Sequence, residues 1–444
     1  KFIFYYAHVY FWKREYSINK YHPHVMTLVE LTLFGIPLIL ISSAMLGFFT
    51  AYGVGANDVA NAMGTSVGSK VLTIKQAVLV AAVFEFLGAF LAGGGVTQTI
   101  RKGVIDPALF DGNLEILIYG MISALFAAGT WLLVASLRGW PVSTTHTIVG
   151  AIVGFGIYSL GINEINWTVV GNIGLSWITS PLSSALVAGL FYYICKTYII
   201  DNDSRFKGLI IRMYIFLAGF AIALITVTKG LKNSFKHHDF FVRFQASGVI
   251  SSIAALLFTF IFYYFSKAKL KQSVNSESQF AYLMIFTSCA VAFAHGSNDV
   301  ANAIGPLAAI NQATNQLLNQ PYTLETPLWI LFLGATGIVI GLATLGYRVM
   351  KTIGENIVKL TPSKGFSAQL AAALTVVIAS QLDMPVSTTH TLVGAVIGIG
   401  LVEGASTINF NSVRTIVLSW VITLPAGALL SIAFLELFTN LFTY

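Results

Sequence analysis

Charge is scarce in this chain. Only 10% of its 444 residues are Asp, Glu, Lys or Arg, 56% are hydrophobic, and the mean hydropathy is +0.77. A soluble domain carries about 25% charged residues, so the composition excludes an ordinary soluble fold and points to a chain that crosses a membrane many times. Cysteine is scarcer still. Cys195 and Cys289 give neither a disulfide framework nor a metal-ligand spacing, and both read as small apolar fillers. No nucleophile stands beside a base and no ligand set has catalytic metal spacing, so an enzyme finds no support. No small-residue cleavage site follows the aromatic, basic opening stretch, which argues against a secretory signal. A net charge of +7 could suggest nucleic acid. The basic residues sit mainly in short loops between apolar runs, where the positive-inside rule explains them and no nucleic-acid partner is needed.

What is present is written twice. GANDVANAMGT opens at Gly55 and GSNDVANAIGP at Gly296; PVSTTHTIVGAIVGFG opens at Pro141 and PVSTTHTLVGAVIGIG at Pro385. Ser176-Trp177 and Pro181 return as Ser419-Trp420 and Pro425, so the duplication extends beyond the motifs. Two copies so far apart are not a solenoid; they read as a duplication in which each half supplies half of one site. Polar motifs inside apolar sequence are costly unless they function.

The expected fold is an all-α polytopic membrane protein of about 12 membrane segments, made of two inverted-topology repeats with broken or re-entrant helices. Residues 1–29 suit an interfacial or extra helix. The first repeat covers 30–200, with apolar runs from about Glu30 to Tyr52, Ile74 to Leu91, Leu114 to Leu137, His146 to Leu160, and Val169 to Tyr193 with an interruption at Pro181. The first run is expected to break at Gly53-Val54-Gly55. Residues 201–279 hold two unduplicated spans, about Leu209 to Val227 and Gly248 to Phe265, then a polar linker whose Lys267, Lys269 and Lys271 favour the cytoplasmic side. The second repeat, 280–444, opens on a short span from Tyr282 to Ala294 and closes on Val413 to Phe438, broken at Pro425. Seven crossings separate Asn57 from Asn298 if every apolar block spans once, and an odd number inverts the second repeat. Inverted repeats with broken helices and a midplane site are a transporter architecture.

In PVSTTH the proline fits the first turn of a helix. Ser143, Thr144 and Thr145, and in the second copy Ser387, Thr388 and Thr389, then fall where backbone N–H groups lack intrahelical partners. Hydroxyls, free amides and the positive helix end converge on one point, which suits an oxyanion. The bland reading, that these residues only cap a helix, is weakened by six identical residues in both repeats. In the other motif Asn57 and Asn61 share a helical face, as do Asn298 and Asn302, and Asp58 and Asp299 are the carboxylates. Carboxylate and amide oxygens are hard ligands for a small hard cation; helix capping is compatible with that role. Glu85 sits in an apolar run without a sequence partner and is either a coupling carboxylate or a residue at a water-filled edge. His146, His390 and His295 are either proton relays or structural hydrogen-bonding groups. The histidine pairs His22/His24 and His237/His238 read as loop residues.

These four motifs resemble those of the inorganic phosphate transporter family, the sodium- or proton-coupled phosphate permeases, from about Leu31 to Phe438. The resemblance implies a homodimer in the bacterial inner membrane, with phosphate between the repeats. It implies that Ser143–Thr145 and Ser387–Thr389 hold phosphate, and that Asp58 and Asp299, with Asn57, Asn61, Asn298 and Asn302, handle the coupling cation. AVFEFLG aligns Glu85 with a functional glutamate of the family. One departure stands out: GFSAQL carries Gln369 where the family pattern has glutamate, and Gln cannot titrate. The expected function is uptake of inorganic phosphate driven by a cation gradient. Sodium is favoured, at Asp58, Asp299, Asn57 and Asn298, because the ligands are hard oxygens. No resident cofactor is expected, since the coupling ion is itself carried. The alternatives are a proton-coupled phosphate or metal–phosphate transporter, a sulfate permease, and, from another class, an anion channel, which the duplicated carboxylates disfavour.

Overall fold

The computed structural model describes residues 31–33, 36–95, 104–105, 107–110, 112–201, 205–230, 240–269, 276–322, 325–381 and 386–441. The expected N-terminal helix over 1–29, His237/His238, Pro385 and the middle of the 267–279 linker lie outside these residues. Among the described residues a short β-hairpin, β1 (Thr32–Leu33) with β2 (Ile36–Pro37), comes first, and thirteen α-helices follow. The first repeat holds α1 (Leu38–Gly68), α2 (Ile74–Ala92), α3 (Leu114–Arg138), α4 (Thr144–Leu160) and α5 (Trp167–Cys195). The middle contributes α6 (Lys207–Gly230) and α7 (Phe240–Lys269), packed on each other. The second repeat holds α8 (Ser276–Leu317), α9 (Leu328–Thr344), α10 (Gly346–Glu355), α11 (Pro362–Gln381), α12 (Thr388–Glu403) and α13 (Phe410–Leu441). Among the described residues eight helices are long and apolar enough to span a membrane. A ninth span is α9 with α10, bent by 62°, and α4 and α12 are shorter apolar helices.

Several expected breaks are absent. The first span starts at Leu38, because Pro37 closes the hairpin and precedes the first helical residue. No break occurs at Gly53–Gly55: α1 runs through both and carries the whole Asn-Asp motif inside one helix. The glycines there serve close packing. A Cβ on Gly55 would lie 2.0 Å from the Ile338 carbonyl oxygen, and one on Gly296 would lie 2.1 Å from that of Glu85. The short span at Tyr282–Ala294 lies in the first half of α8, which is 42 residues long. Pro181 and Pro425 sit within continuous helices. Neighbouring helices pack closely there, Gly394 against Pro181 and Gly150 against Leu424, and membrane helices tolerate proline in such a setting.

The repeats interlock by a reciprocal exchange. α1 packs on α9 while α8 packs on α2, and α4 packs on α13 while α12 packs on α5. The close backbone contacts follow the same symmetry: Gly150 and Gly154 lie against Leu424 and Ala428, and Gly394 and Gly398 against Pro181 and Ala185. Small residues let membrane helices approach this closely, and dispersion and exclusion of lipid then hold them. The motif helices run antiparallel, with Gly47 of α1 against Leu307 at one end and Ser66 hydrogen-bonded to Ser288 at the other. The second repeat is therefore inverted.

The route to that inversion differs from one crossing per apolar block. α3 and α4 fold back on each other: Gly120 near the start of α3 meets Phe155 near the end of α4, and their junction reaches Asn57 in the middle of α1. This is a re-entrant hairpin that returns to the side it left. α2, α5, α6 and α7 then supply the net crossings between α1 and α8. α11 and α12 form the matching hairpin, with Gly400 against Val358 at its open end. The two tips meet, with the His146 and His390 rings 4.9 Å apart.

Candidate functional site

Each hairpin tip is shaped by its cap. Ser143 and Ser387 are N-cap residues whose hydroxyls accept from the backbone N–H of His146 and His390. Pro141 stands two residues ahead of the cap, outside the first turn. The two serines thus do perform the capping role, and the threonines after them are left for other contacts. His390 stacks on Trp420 at 3.8 Å, and the Trp420 indole N–H donates to the Pro141 carbonyl at 2.9 Å, pinning one tip to the other repeat. His146 lies 5.4 Å from Trp177, so both histidines are packed behind the tips.

The asparagines tie each motif helix to the opposite triplet. The Asn61 amide donates to Thr388 (3.2 Å) and Thr389 (2.9 Å), and the Asn302 amide donates to Thr144 (3.0 Å) and Thr145 (3.3 Å). The Thr389 hydroxyl also reaches the Val142 carbonyl at 3.2 Å. The site is therefore shared, each half completing the other. Asn57 is placed differently. Its amide donates to the Trp140 carbonyl at 2.9 Å and its oxygen accepts from the Val142 N–H at 3.0 Å, so it fixes the bend of its own hairpin. Asn298 is half-buried and donates to Asp299 at 3.2 Å.

The carboxylates gather around one imidazole. His295 Nε2 lies 2.8 Å from Asp299 Oδ2 and 3.6 Å from Asp58 Oδ2, and Nδ1 lies 3.5 Å from Glu85 Oε2. All four side chains are at most 3% exposed. Among the described residues neither ring nitrogen makes a well-aligned hydrogen bond, and Asp58 Oδ1, Asn61 Oδ1 and both Glu85 oxygens have no hydrogen-bond partner. Asp58 Oδ2 accepts from the Thr144 hydroxyl at 2.6 Å. Burying an ionised carboxylate costs several kcal/mol even after relaxation, so three together require a counter-charge. Asp58, His295 and Asp299 place one ligand atom each within 4.8 Å of one another, close enough for a single cation. Hard oxygens suit sodium, and the imidazole widens the choice.

Glu85 thus reaches the same imidazole from α2. His295 is the contributor that sequence reasoning left open; the signal was its place four residues before Asp299, where the first repeat has Val54. Thr287 and Ser288 were not foreseen. Gln369 binds them through its oxygen (3.1 and 3.3 Å), and its amide donates to Ser288 and to the Ala62 carbonyl at 2.9 Å each. A fully bonded amide at that place links α1, α8 and α11.

A model of the phosphate transporter family matches residues 54–431. A Haemophilus influenzae protein carrying a phosphate permease name is 44% identical over 409 residues, 90% of this chain and 96% of that protein. Inorganic phosphate transporter 2-1, chloroplastic, of Arabidopsis thaliana is 37% identical over 436 residues, 92% of this chain and 73% of that protein. Among solved structures, one titled the sodium-dependent phosphate transporter superposes with a TM-score of 0.79 at 38% identity, covering 90% of this chain and 99% of its own.

Proposed function

We propose that this chain, which belongs to the phosphate transporter family, imports inorganic phosphate with a sodium ion by alternating access around the junction of its two hairpin tips. Membership in a family of transporters also sets enzymatic turnover aside. The observation that carries the reading is the crossed wiring: each Asn-Asp helix holds the other repeat's hydroxyl triplet, beside buried carboxylate oxygens that lack partners. Phosphate takes its hydrogen bonds from the tips, at Ser143–Thr145 and Ser387–Thr389. The cation takes oxygens of Asp58, Asp299 and Asn61, with Glu85 close by. Asn57 and Asn298 act here as supports of that site.

Coupling follows from charge. An anion entering against an inside-negative potential meets about 2.3 kcal/mol per charge per 100 mV, and the carboxylates repel it further. A cation at Asp58 and Asp299 offsets one unit of the anion's charge and weakens the repulsion. Hydroxyl and amide donors hold phosphate without a permanent cation, so release remains feasible. Lys70, Lys75, Lys196, Lys351, Lys359 and Lys364 cluster toward the membrane face at which α8 begins; Ser69 touches Met284 there, and Lys196 and Lys364 share Glu403. The positive-inside rule makes that face cytoplasmic. The protein is read as a homodimer of the bacterial inner membrane.

His295 among three carboxylates favours one second reading, in which a proton replaces sodium. Radiolabelled phosphate uptake into proteoliposomes, with sodium and proton gradients imposed separately, decides. Uptake driven by sodium alone supports the proposal. Uptake driven only by a proton gradient transfers coupling to the proton, and equal competition by sulfate would sink the phosphate assignment.

A further inference from the structure

Thr144 and Thr388 occupy the same position in the two triplets, yet their hydroxyls are in different situations. A threonine hydroxyl has one proton to donate. Thr144 commits it to Asp58 Oδ2 at 2.6 Å, while its oxygen accepts the Asn302 amide at 3.0 Å. An oxyanion arriving at that hydroxyl meets lone pairs. Thr388 accepts the Asn61 amide at 3.2 Å, and among the described residues its proton has no acceptor. Thr388 is also half-buried where Thr144 is buried, so its hydroxyl lies nearer to solute.

One residue accounts for the difference. Four positions before Asp299 stands His295, 2.8 Å from Asp299 Oδ2, and the other Asp299 oxygen accepts from Asn298. His295 stands nearer to Asp299 than to Asp58 (2.8 against 3.6 Å), and among the described residues no hydrogen bond joins Asp299 to Thr388. Four positions before Asp58 stands Val54, which offers no polar group, and Asp58 takes the nearest donor, Thr144.

We propose that Thr144 is the positioning residue that couples cation to anion: a cation at Asp58 draws the carboxylate away from the Thr144 hydroxyl, whose proton then turns to phosphate, whereas Thr388 donates to phosphate whether or not a cation is present. This rests on the sodium–phosphate reading above. A hydroxyl bound to an ionised carboxylate makes a short, charge-assisted bond, so the Thr144 hydroxyl stays turned toward Asp58 until another positive charge competes for that oxygen. The Asn302 amide holds the Thr144 oxygen from the second repeat throughout, so rotation of the hydroxyl redirects the proton without moving the backbone. The rival account is plain neutralisation of Asp58, which would act on every donor of the tips alike and needs no hydroxyl at Thr144.

The experiment is calorimetric titration of phosphate into the purified full-length protein, with and without sodium, for wild type, Thr144→Val, Thr144→Ser and Thr388→Val. Sodium should tighten wild-type binding on the order of tenfold. Thr144→Val should reduce the sodium gain to below about twofold, while Thr144→Ser restores the gain. Thr388→Val should lose about tenfold in affinity with and without sodium and keep the wild-type gain. If Thr144→Val does not remain monodisperse, Thr144→Ala carries the same reading. A wild type indifferent to sodium overturns the sodium–phosphate reading itself. A wild-type gain that persists in Thr144→Val, or an equal loss of phosphate binding in that variant with and without sodium, overturns the assignment of Thr144 alone.

Discussion

The two hairpin tips share the sequence PVSTTH and the same helix cap, yet they are wired differently. The first tip is bent around Asn57 and has Thr144 bound to Asp58; the second is pinned by Trp420 against Pro141, with its carboxylate held by His295. Duplication supplied two equal frames. The copies differ at the edges of the motifs, where Val54 stands in the position that His295 takes in the second repeat. The frame is symmetric and the polar wiring is not, so the two can be disturbed separately.

The largest expected effect tests the shared frame. Gly55→Ala and Gly296→Ala each push a Cβ to within 2.0 or 2.1 Å of a backbone oxygen of the partner helix. Helices must part, and we expect a loss of about 3 kcal/mol or more in each, read as lost monodisperse protein and a lower melting midpoint. Tolerance at one glycine with collapse at the other would break the symmetry of the frame. Next come the carboxylates. Asp58→Asn and Asp299→Asn should each abolish the sodium dependence of phosphate binding, a coupling of about 1–3 kcal/mol, measured by paired titrations; retained dependence in both variants would remove the cation from this cluster. Then the wiring: His295→Val makes the second motif resemble the first. It should free Asp299 to accept from Thr388, lowering sodium-free phosphate affinity several-fold on the scale of one charged hydrogen bond and enlarging the sodium gain. The smallest effect belongs to the periphery. Lys196 and Lys364 each lie 3.2 Å from Glu403, but Lys196 is 32% exposed and Glu403 is 21% exposed. Lys196→Ala should therefore cost less than about 1 kcal/mol, visible only as a small shift in thermal unfolding.

Much of this was legible in the residues. Composition gave the membrane class, and the doubled motifs gave two halves and one shared site. The grouping of Asp58 with Asp299 and of the two hydroxyl triplets also follows from repetition. Glycine misled the reading of the helices. In soluble sequence Gly-Val-Gly weakens a helix, but in a packed membrane interior it marks where another backbone comes near, and only the partner, Ile338 for Gly55, shows which meaning applies. Proline misled in the same way at Pro181 and Pro425, which lie where helices of the two repeats pack backbone to backbone, Gly394 against Pro181 and Gly150 against Leu424. Asn57 could not be told from Asn61 by spacing: both face one side of α1, and the difference is one turn of height, which places Asn57 at the hairpin bend and Asn61 at the opposite triplet. The crossing of Asn61 to Thr388 and Asn302 to Thr144 joins residues far apart in the chain, and no local pattern announces it.

The exchange of packing partners between the repeats has a consequence for synthesis. α1 rests on α9 and α2 on α8, so the surfaces that the first repeat buries are made by residues translated much later. At about 5–20 residues per second, translation of the intervening chain takes on the order of tens of seconds. Through that interval α1 stands in the bilayer with Asp58 and Asn61 lacking their second-repeat partners. We expect the first repeat expressed alone to be degraded, and the two halves co-expressed as separate chains to recover stable protein, as judged by protease resistance in membranes. A first repeat that accumulates by itself would mean that its polar groups find shelter before their partners exist.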